Sequence, residues 1–304
     1  MKNSVRLPAF AKVNLCLDVI GRRPDGYHEL RTIFQTIGLR DTLELSLTRA
    51  PGIDLEVSDE TLSAGADNLV YRAIESIGRE MDFSGGVRAK LTKRIPVARG
   101  LGGGSSDAAA ALIGMLRLTG REREFPLQKL MEIASKLGAD VPFFLFGGRA
   151  LAVNRGDEIY PLEDGPKRTV VVVSPKEIGV STKEAYEWLS AELTNRGNPP
   201  NIWRFCALCW SGQERVSNDF EGPVFRRHAR LGEIRDALLQ VGAAEAALAG
   251  SGSAVFGIFR NPAQARRAAR KFPEDSVFVV ETLSRERYGH AMCWPPSAGR
   301  RTRR

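Results

Sequence analysis

The sequence has little of the features that mark secreted or membrane proteins. It contains four cysteines among 304 residues, too few and too scattered for a disulfide scaffold in a chain of this length. No run approaches the roughly 20 apolar residues that a membrane-spanning helix needs, and the first residues lack the apolar core of a signal peptide. With 43% hydrophobic and 26% charged residues, the composition is that of a globular protein. We therefore expect a cytoplasmic protein without a membrane partner.

Positively charged residues are in modest excess over negatively charged ones. The net charge of +8 suits an enzyme for anionic substrates as well as it suits RNA. Half of this excess comes from four arginines near the end of the chain, Arg300, Arg301, Arg303 and Arg304. They belong to a Pro- and Ser-containing stretch, residues 295–304, which we predict to be a disordered, solvated tail. The charge therefore does not call for a nucleic-acid partner.

The hydrophobic pattern predicts strands and helices in two unequal parts, without the strict alternation of a doubly wound sheet. This mixture predicts an α+β fold. A polar linker at 164–167 predicts two domains, at 1–164 and 165–294. Strands are predicted at 11–19, 27–39, 42–48, 53–57, 87–95, 149–153, 158–162, 169–173, 254–259 and 277–282. Helices are predicted from Asp67 or Asn68 to Gly78, at 106–118, 127–137, 182–193, 201–210, 224–228 and 231–241, and from Pro262 onward. Cys206 and Cys209 lack a second ligand pair, so a core helix is favoured over a zinc site there.

The most informative segment is rich in glycine and lies between a predicted strand and an alanine-rich helix. Glycines let backbone N–H groups converge, and a helix N-terminus adds unpaired N–H donors and a positive dipole end. Together they predict a phosphate cradle, although the Walker A and Rossmann spacings are both absent. A flexible linker, the alternative, would not normally lead at once into strong helix formers. The residues of this first glycine loop are Pro96, Val97, Ala98, Arg99, Gly100, Leu101, Gly102, Gly103, Gly104, Ser105 and Ser106.

A second cluster of small residues, 249–254, comes just before an apolar strand. Close approach of its backbone to a ligand or to the first glycine loop would explain this composition. A β-bulge is the alternative. The signal is weak alone and gains weight from the pairing with the first loop.

Two charged side chains lie in apolar surroundings. Asp140 is followed by the apolar run 141–144, a setting typical of partly desolvated functional carboxylates, although a turn aspartate would look the same. Lys12 interrupts an apolar strand and shares a face with Asn14, so it needs an anionic partner or access to water. Pairing with Asp140 is the functional interpretation, and protection of an edge strand is the alternative.

These segments resemble the GHMP kinases, small-molecule kinases whose phosphate loop has a Pro-x-x-x-Gly-Leu-Gly-Ser-Ser-like form. The Asp-Gly-Tyr-His sequence and the triple glycine resemble the branch that acts on a cytidine-diphosphate-linked methylerythritol. The resemblance implies an N-terminal domain like domain 2 of ribosomal protein S5, a ferredoxin-like C-terminal domain and a site between them. It covers about residues 9 to 283, and the matching segments are 11–15, 23–28, 96–106, 137–142, 217–221 and 250–252.

The resemblance also implies a chemistry. It predicts ATP-dependent phosphorylation, with Mg²⁺ on the ATP phosphates, of the 2-hydroxyl of 4-diphosphocytidyl-2-C-methyl-D-erythritol in the non-mevalonate isoprenoid pathway. Asp140 would be the catalytic base, Lys12 would support it, and ATP would lie over the first glycine loop. No side chain is assigned to the metal, and a monomer or weak homodimer is expected. The positions expected to bind the substrate are Asn14, Tyr27, His28, Thr182 and Tyr186.

Two places depart from the family pattern, and two alternatives stay open. Ala98-Arg99 replaces a frequent glycine pair and Leu248-Ala249 a usual Met–Ser/Thr pair, and Arg99 bears on the nucleotide contacts. One alternative is a GHMP kinase for mevalonate or homoserine, against which Tyr27 argues because an aliphatic substrate offers nothing to stack on. The other is an RNA-binding protein with an S5-like domain, which would leave Asp140 and Lys12 unused.

Overall fold

The structure is a computed structural model, and it describes residues 4–193 and 216–294. Its first sheet has the order β3–β4–β2–β1–β8, and the hairpin β5–β6 pairs along β2. Helix α2 packs against β1 and β2 and is buried along most of its length. The elements of this part, apart from β8, are β1 (Ser4–Arg22), β2 (His28–Thr48), β3 (Gly52–Val57), α1 (Leu69–Glu80), β4 (Gly86–Thr92), α2 (Gly103–Thr119), α3 (Leu127–Leu137), a short 3-10 helix (Pro142–Leu145), β5 (Arg149–Val153) and β6 (Glu158–Pro161).

The second sheet is antiparallel and has the order β11–β7–β10–β9. The described elements of this part are β7 (Thr169–Ser174), α4 (Thr182–Leu193), β8 (Ser217–Asn218), α5 (Glu221–Arg227), α6 (Ala229–Gln240), β9 (Glu245–Leu248), β10 (Val255–Phe259), α7 (Pro262–Ala269), β11 (Ser276–Glu281) and α8 (Arg285–Met292). Within the described residues no helix is long and apolar enough to cross a membrane.

Strand β7 explains how the two sheets meet. Val171 and Val173 belong to the core that the second sheet forms with its own helices. Val170 and Val172, on the opposite face, belong to a core shared with Ala11 of β1. Because successive side chains of a strand point to opposite faces, a run of valines is buried on both sides. The cavity described below lies beside this junction.

Most predicted elements are confirmed, and the differences have local causes. The strands predicted at 27–39 and 42–48 are one strand, β2, which stays paired with β1 over most of its length. Asn68 caps α1 as predicted, but Gly78 does not end it, and the helix continues to Glu80. Helix α2 begins at Gly103 rather than Ser106, since Gly102 in the left-handed region already ends the loop. The helix predicted at 201–210, with Cys206 and Cys209, lies outside the described residues.

The sequence pattern did not predict that α8 returns to the first part of the chain. Its residues Tyr288 and Met292 are buried in the core of the first sheet and its helices. The Tyr288 hydroxyl donates to the carbonyl of Phe144 (2.5 Å). The indole N–H of Trp294 donates to the carbonyl of Leu145 (3.1 Å). The end of the described chain therefore supports the 3-10 helix that follows Asp140.

Candidate active site

A cavity of about 540 Å³ lies between β1, the first glycine loop and residues 250–251 of the second small-residue cluster. It brings together most of the residues predicted for a site, from both parts of the chain. Ser106, Tyr27 and His28 are not among its lining residues. The predicted residues that line it are Lys12, Asn14, Pro96, Val97, Ala98, Arg99, Gly100, Leu101, Gly102, Gly103, Gly104, Ser105, Asp140, Thr182 and Tyr186.

The first glycine loop needs its glycines at two positions. Gly100 has φ +76°, and a Cβ there would lie 1.8 Å from the carbonyl oxygen of Ala249. Gly102 has φ +71°, and a Cβ there would lie 2.9 Å from the ring of Phe144 and 3.0 Å from Cγ of Lys12. Gly102 directly precedes α2, whose first N–H groups have no partner within the helix. The loop therefore presents backbone donors and a helix N-terminus to the cavity, as an anion cradle requires.

Lys12 and Asp140 face each other across the cavity. Lys12 Nζ lies 3.3 Å from Asp140 Oδ2, and the exposed side-chain fractions are 5% and 30%. Lys12 also donates to Asn14 Oδ1 (2.9 Å), and the Asn14 amide in turn donates to Thr32 (2.7 Å). The interpretation of Lys12 as edge protection is wrong, because its backbone N–H donates to Leu101 on the side away from β2. The result is a buried ammonium group that is held in place and a carboxylate that reaches the cavity.

The second small-residue cluster approaches the first glycine loop, as one of its two interpretations predicted. A Cβ on Gly250 would lie 3.0 Å from the carbonyl oxygen of Gly100 and 3.4 Å from Lys12 Nζ. The hydroxyls of Ser251 and Thr182 lie 3.1 Å apart, and both residues line the cavity. Thr182 thus reaches the site from the first turn of α4.

His28 and Tyr186 form a stacked pair near the cavity. Their ring centroids are 4.5 Å apart with an interplanar angle of 20°, and His28 Nε2 lies 2.9 Å from the hydroxyl of Ser190. Burial, together with the charge of Arg22, lowers the pKa of His28. Burial, together with the negative charge of Asp140, raises the pKa of Tyr186. Both rings are therefore neutral near pH 7.

Tyr27 lies apart from the other predicted residues. Its side chain is 57% exposed, and its ring stacks under the guanidinium of Arg155, whose Cζ is 4.9 Å from the ring centroid. It borders a separate surface depression that also contains Tyr160. The structure therefore does not bring Tyr27 and Tyr186 to one pocket.

Sequence reasoning missed a buried ionic cluster below the first glycine loop. Lys93 Nζ lies 2.5 Å from Asp41 Oδ2 and 2.6 Å from Asp107 Oδ2, and Lys93 and Asp107 line the cavity. Burial opposes the charge of Lys93, but the carboxylates of Asp107 and Asp41 outweigh it and raise its pKa. Burial raises the pKa of Asp107 against the attraction of Lys93. In the sequence these three residues appear only as charges beside apolar runs. Asp41 is 52 residues from Lys93, so no local pattern indicates that they form a cluster.

The cavity continues beyond the first glycine loop to Thr61, Ser63 and Asn68, which sequence reasoning also missed. In the part of the chain that the structure describes, no group of three His, Cys, Asp or Glu side chains could hold a metal ion. Two buried side-chain oxygens at the start of α2, Ser106 Oγ and Asp107 Oδ1, have no hydrogen-bond partner.

Comparisons with known proteins point to one family. The model described as the GHMP kinases N terminal domain matches residues 68–148, and the one described as GHMP kinases C terminal matches residues 200–276. A 4-diphosphocytidyl-2-C-methyl-D-erythritol kinase of Solibacter usitatus (strain Ellin6076) is 46% identical over 288 residues, covering 93% of this chain and 90% of that protein. A kinase of the same name from Geotalea daltonii (strain DSM 22248 / JCM 15807 / FRC-32) is 41% identical over 283 residues, covering 92% and 99%.

A solved structure agrees with these relatives. The crystal structure of a 4-(cytidine 5'-diphospho)-2C-methyl-D-erythritol kinase superposes with a TM-score of 0.77 at 36% sequence identity. The match covers 91% of this chain and 99% of that chain. The similarity therefore extends over both sheets and the cavity between them.

Proposed function

Because the chain belongs to the GHMP kinases, and within them to the 4-diphosphocytidyl-2-C-methyl-D-erythritol kinases, we propose that it phosphorylates the 2-hydroxyl of 4-diphosphocytidyl-2-C-methyl-D-erythritol with ATP. The observation that carries this proposal is the Lys12–Asp140 pair, 3.3 Å apart, in one cavity with the first glycine loop. A base, a cation and a phosphate cradle are the parts that phosphoryl transfer to an alcohol needs.

In this reaction Asp140 is the base. Its carboxylate accepts the proton of the 2-hydroxyl as that oxygen attacks the γ-phosphorus of ATP. The bond between the γ-phosphorus and the β–γ bridging oxygen breaks, and ADP leaves. Lys12 holds the Asp140 carboxylate in position through their ion pair and offsets the negative charge of the transferring group. Asn14 fixes the Lys12 ammonium by accepting a hydrogen bond from it (2.9 Å) and, as a residue that lines the cavity, is also a contact for the substrate.

The first glycine loop holds the phosphates of ATP. Its backbone N–H groups and the N-terminus of α2 bind anions without a side-chain cation, and the nucleoside extends toward Thr61, Ser63 and Asn68. A magnesium ion, when bound with ATP, would supply charge neutralisation of the phosphates. Asp107 Oδ1, buried and without a partner, fits a cation beside the phosphates and is the candidate side-chain ligand.

The cytosine base is recognised on the other side of Asp140. His28 and Tyr186 supply aromatic faces and a polar ring edge, and Thr182 with Ser251 supplies hydroxyls for the diphosphate. Tyr27 contributes a second stacking face only after the turn of residues 23–27 moves toward Tyr186. In this proposal the domain at 1–164 binds ATP and contains the catalytic base. The domain at 165–294 closes on the substrate.

The relatives support this substrate over the alternatives, since they share the cytidine-diphosphate compound in their names. Mevalonate or homoserine would leave the His28–Tyr186 aromatic pair unused, and RNA would leave the Lys12–Asp140 pair unused. We further expect a cytoplasmic enzyme that is a monomer or a weak homodimer.

The test is an ATP-consumption assay with four acceptors: the cytidine-linked methylerythritol, mevalonate, homoserine and none. We expect ADP release only with the first, and phosphorus NMR of the product should place the new phosphate on the 2-hydroxyl. Turnover with mevalonate or homoserine in preference to the cytidine compound would contradict the proposal.

A further inference from the structure

The segment of residues 217–221 matches the family pattern but takes no part in the chemistry proposed above. We propose that Asn218 is a positioning residue, which holds residues 248–251 against Lys12 and the first glycine loop. This inference rests on the proposed function, because it assigns to Asn218 the alignment of the groups that perform that reaction. Asn218 itself does not line the cavity.

The backbone of this segment is fixed to the strand that carries Lys12. Ser217 and Asn218 form the short strand β8, which pairs in parallel with Cys16 and Leu17 of β1. The backbone N–H of Asp219 donates to the carbonyl of Leu17 (3.0 Å). The carboxylate of Asp219 accepts from the N–H of Val19 (2.8 Å). The segment is therefore an extension of the first sheet, although it belongs to the second part of the chain.

The Asn218 side chain extends from this anchor to the second small-residue cluster. It is buried, with 7% of its surface exposed, and its amide donates to the carbonyls of Leu248 (2.8 Å) and Gly250 (2.7 Å). Its Oδ1 accepts from the N–H of Phe220 (2.9 Å). The two carbonyls can only accept, so they fix the orientation of the amide. Of side chains of this size, only asparagine provides two donors and one acceptor.

A carboxylate of the same segment holds the other side of Leu248. Glu221 Oε1 accepts from the backbone N–H of Leu248 (2.9 Å), and Glu221 Oε2 lies 3.3 Å from Arg235. The backbone of Leu248 is thus bound at its N–H and at its carbonyl. Two such contacts on one residue leave little freedom to the chain that follows.

The chain that follows is the part of the second cluster that touches the site. The carbonyl of Ala249 occupies the space that a Cβ on Gly100 would need, and Gly250 lies against Lys12 Nζ. The N–H of Ala254 donates to the carbonyl of Arg99 (3.2 Å). A displacement of residues 249–250 would therefore disturb the phosphate cradle and the Lys12 ammonium together.

The first experiment compares Asn218→Ala with Asn261→Ala. Asn261 is a matched control, since its side chain caps α7 by accepting from Ala263 (2.8 Å) and lies away from the cavity. Losing a positioning contact typically costs about 10- to 100-fold in activity, so we expect kcat of Asn218→Ala to fall by roughly that factor. The KM for ATP should rise as well, because residues 249–250 lie against Gly100 of the phosphate cradle, whereas it should not change in Asn261→Ala. Asn261→Ala should lower the melting temperature and leave kcat unchanged.

Asn218→Asp adds a readout that general destabilisation would not produce. Its ionised carboxylate would face two carbonyls and repel them, whereas its protonated form could donate one of the two lost hydrogen bonds. The kcat of Asn218→Asp divided by that of the wild type should therefore rise as the pH falls from 9 to 6. Both proteins share the neighbouring carboxyl groups of Asp140, Asp219 and Glu221, so the ratio isolates the effect of the new side chain. A flat ratio, or a kcat of Asn218→Ala equal to that of Asn261→Ala, would overturn the inference.

Hydrogen exchange separates this inference from the proposed function. The N–H of Ala249 bonds to Ala254 and that of Gly252 to Ala249, so both amides should exchange faster in Asn218→Ala but not in Asn261→Ala. If the wild type does not phosphorylate the cytidine compound, the proposed function fails. Faster exchange together with weaker ATP binding would then still support the role of Asn218. Unchanged exchange in a folded Asn218→Ala protein, or in Asn218→Asp if the alanine variant does not fold, would contradict it.

Discussion

The two sides of the cavity are built differently. On the phosphate side, Lys12 is 4% exposed and lies between Asn14 and Asp140, while the first glycine loop is closed against Ala249. On the base-recognition side, Tyr27 is 57% exposed and rests on a surface turn under Arg155. The groups proposed for transfer are thus already in contact, whereas Tyr27, proposed to stack on cytosine, lies apart from Tyr186. The proposed chemistry therefore depends on buried contacts, and the proposed recognition by Tyr27 on a surface turn that Arg23 and Arg155 hold.

The largest effect should come from the phosphate side, with Asp140→Asn. The amide keeps the size of the side chain but cannot accept the proton, and general-base catalysis typically supplies about 10²–10⁴-fold. We expect kcat to fall by that order while the Kd for the cytidine substrate stays within a few fold. Asp236→Asn, an exposed carboxylate paired with Arg235, is the control and should keep full activity. Near-full kcat in Asp140→Asn would remove this residue from the chemistry.

Lys12→Met should cost kcat about 10²-fold, which is typical for removing one group that stabilises transition-state charge. Methionine fills the same space without the ammonium. If Lys12 and Asp140 act as one unit, the double variant should be little worse than the poorer single variant. Multiplicative losses in single-turnover rates would show that the two residues act separately.

Gly100→Ala tests whether the cradle is as tightly closed as its contacts imply. Gly120 has almost the same backbone conformation, φ +75° against +76°, but a Cβ there would meet nothing within 4 Å. In Gly120→Ala the free energy of unfolding should therefore fall only by the cost of placing an alanine in the left-handed conformation, about 1–2 kcal/mol. Gly100→Ala adds the clash with Ala249, so we expect a larger loss and an ATP Kd raised at least about tenfold, or about 1.4 kcal/mol. Equal ATP affinity in both variants, measured by calorimetry, would show that the loop can yield.

On the recognition side, Tyr27→Ala should weaken binding of the cytidine substrate by about 1–3 kcal/mol, the typical value of one stacked base. The Kd for ATP should not change. Tyr160→Ala removes a second exposed aromatic of the same depression and should alter neither affinity. An effect on ATP rather than on the cytidine compound would mean that the two nucleotide pockets are reversed.

The smallest effect concerns His28 and pH. Burial, with the charge of Arg22, lowers the pKa of His28 below its usual 6.5. The unfolded chain therefore binds a proton at a higher pH than the folded one, and the unfolding free energy should fall as the pH drops below about 6.5. His28→Gln should show a shallower fall in denaturant titrations between pH 7 and 5. The same slope in both proteins would contradict a desolvated ring.

The sequence predicts the phosphate side better than the recognition side, for a physical reason. The first glycine loop is a local motif, whose glycines and following helix formers act within a dozen residues. Lys12 and Asp140 are visible as charges in apolar runs. The orientation of Tyr27 depends on Arg155, which is far from it in the chain, so no local pattern indicates it.

The same reason explains what was missed in the fold. The partners of Lys93 lie on β2 and α2, and each carboxylate alone looks like an ordinary surface residue. Helix α8 has a weak apolar periodicity because it buries little besides Tyr288 and Met292. Its contact with the first part of the chain is formed across more than a hundred residues, a distance over which periodicity carries no information.

The return of α8 has a consequence for how the enzyme is made. A ribosome synthesises Asp140 and the 3-10 helix that follows it well before Tyr288, which comes 144 residues after Phe144. Until that tyrosine and Trp294 emerge, the carbonyls of Phe144 and Leu145 lack the donors that fix them, and the core behind Asp140 is exposed to water. The growing chain therefore contains the first glycine loop and Asp140 long before it contains the residues that fix their positions. The site is thus complete only after α8 and Trp294 have been made.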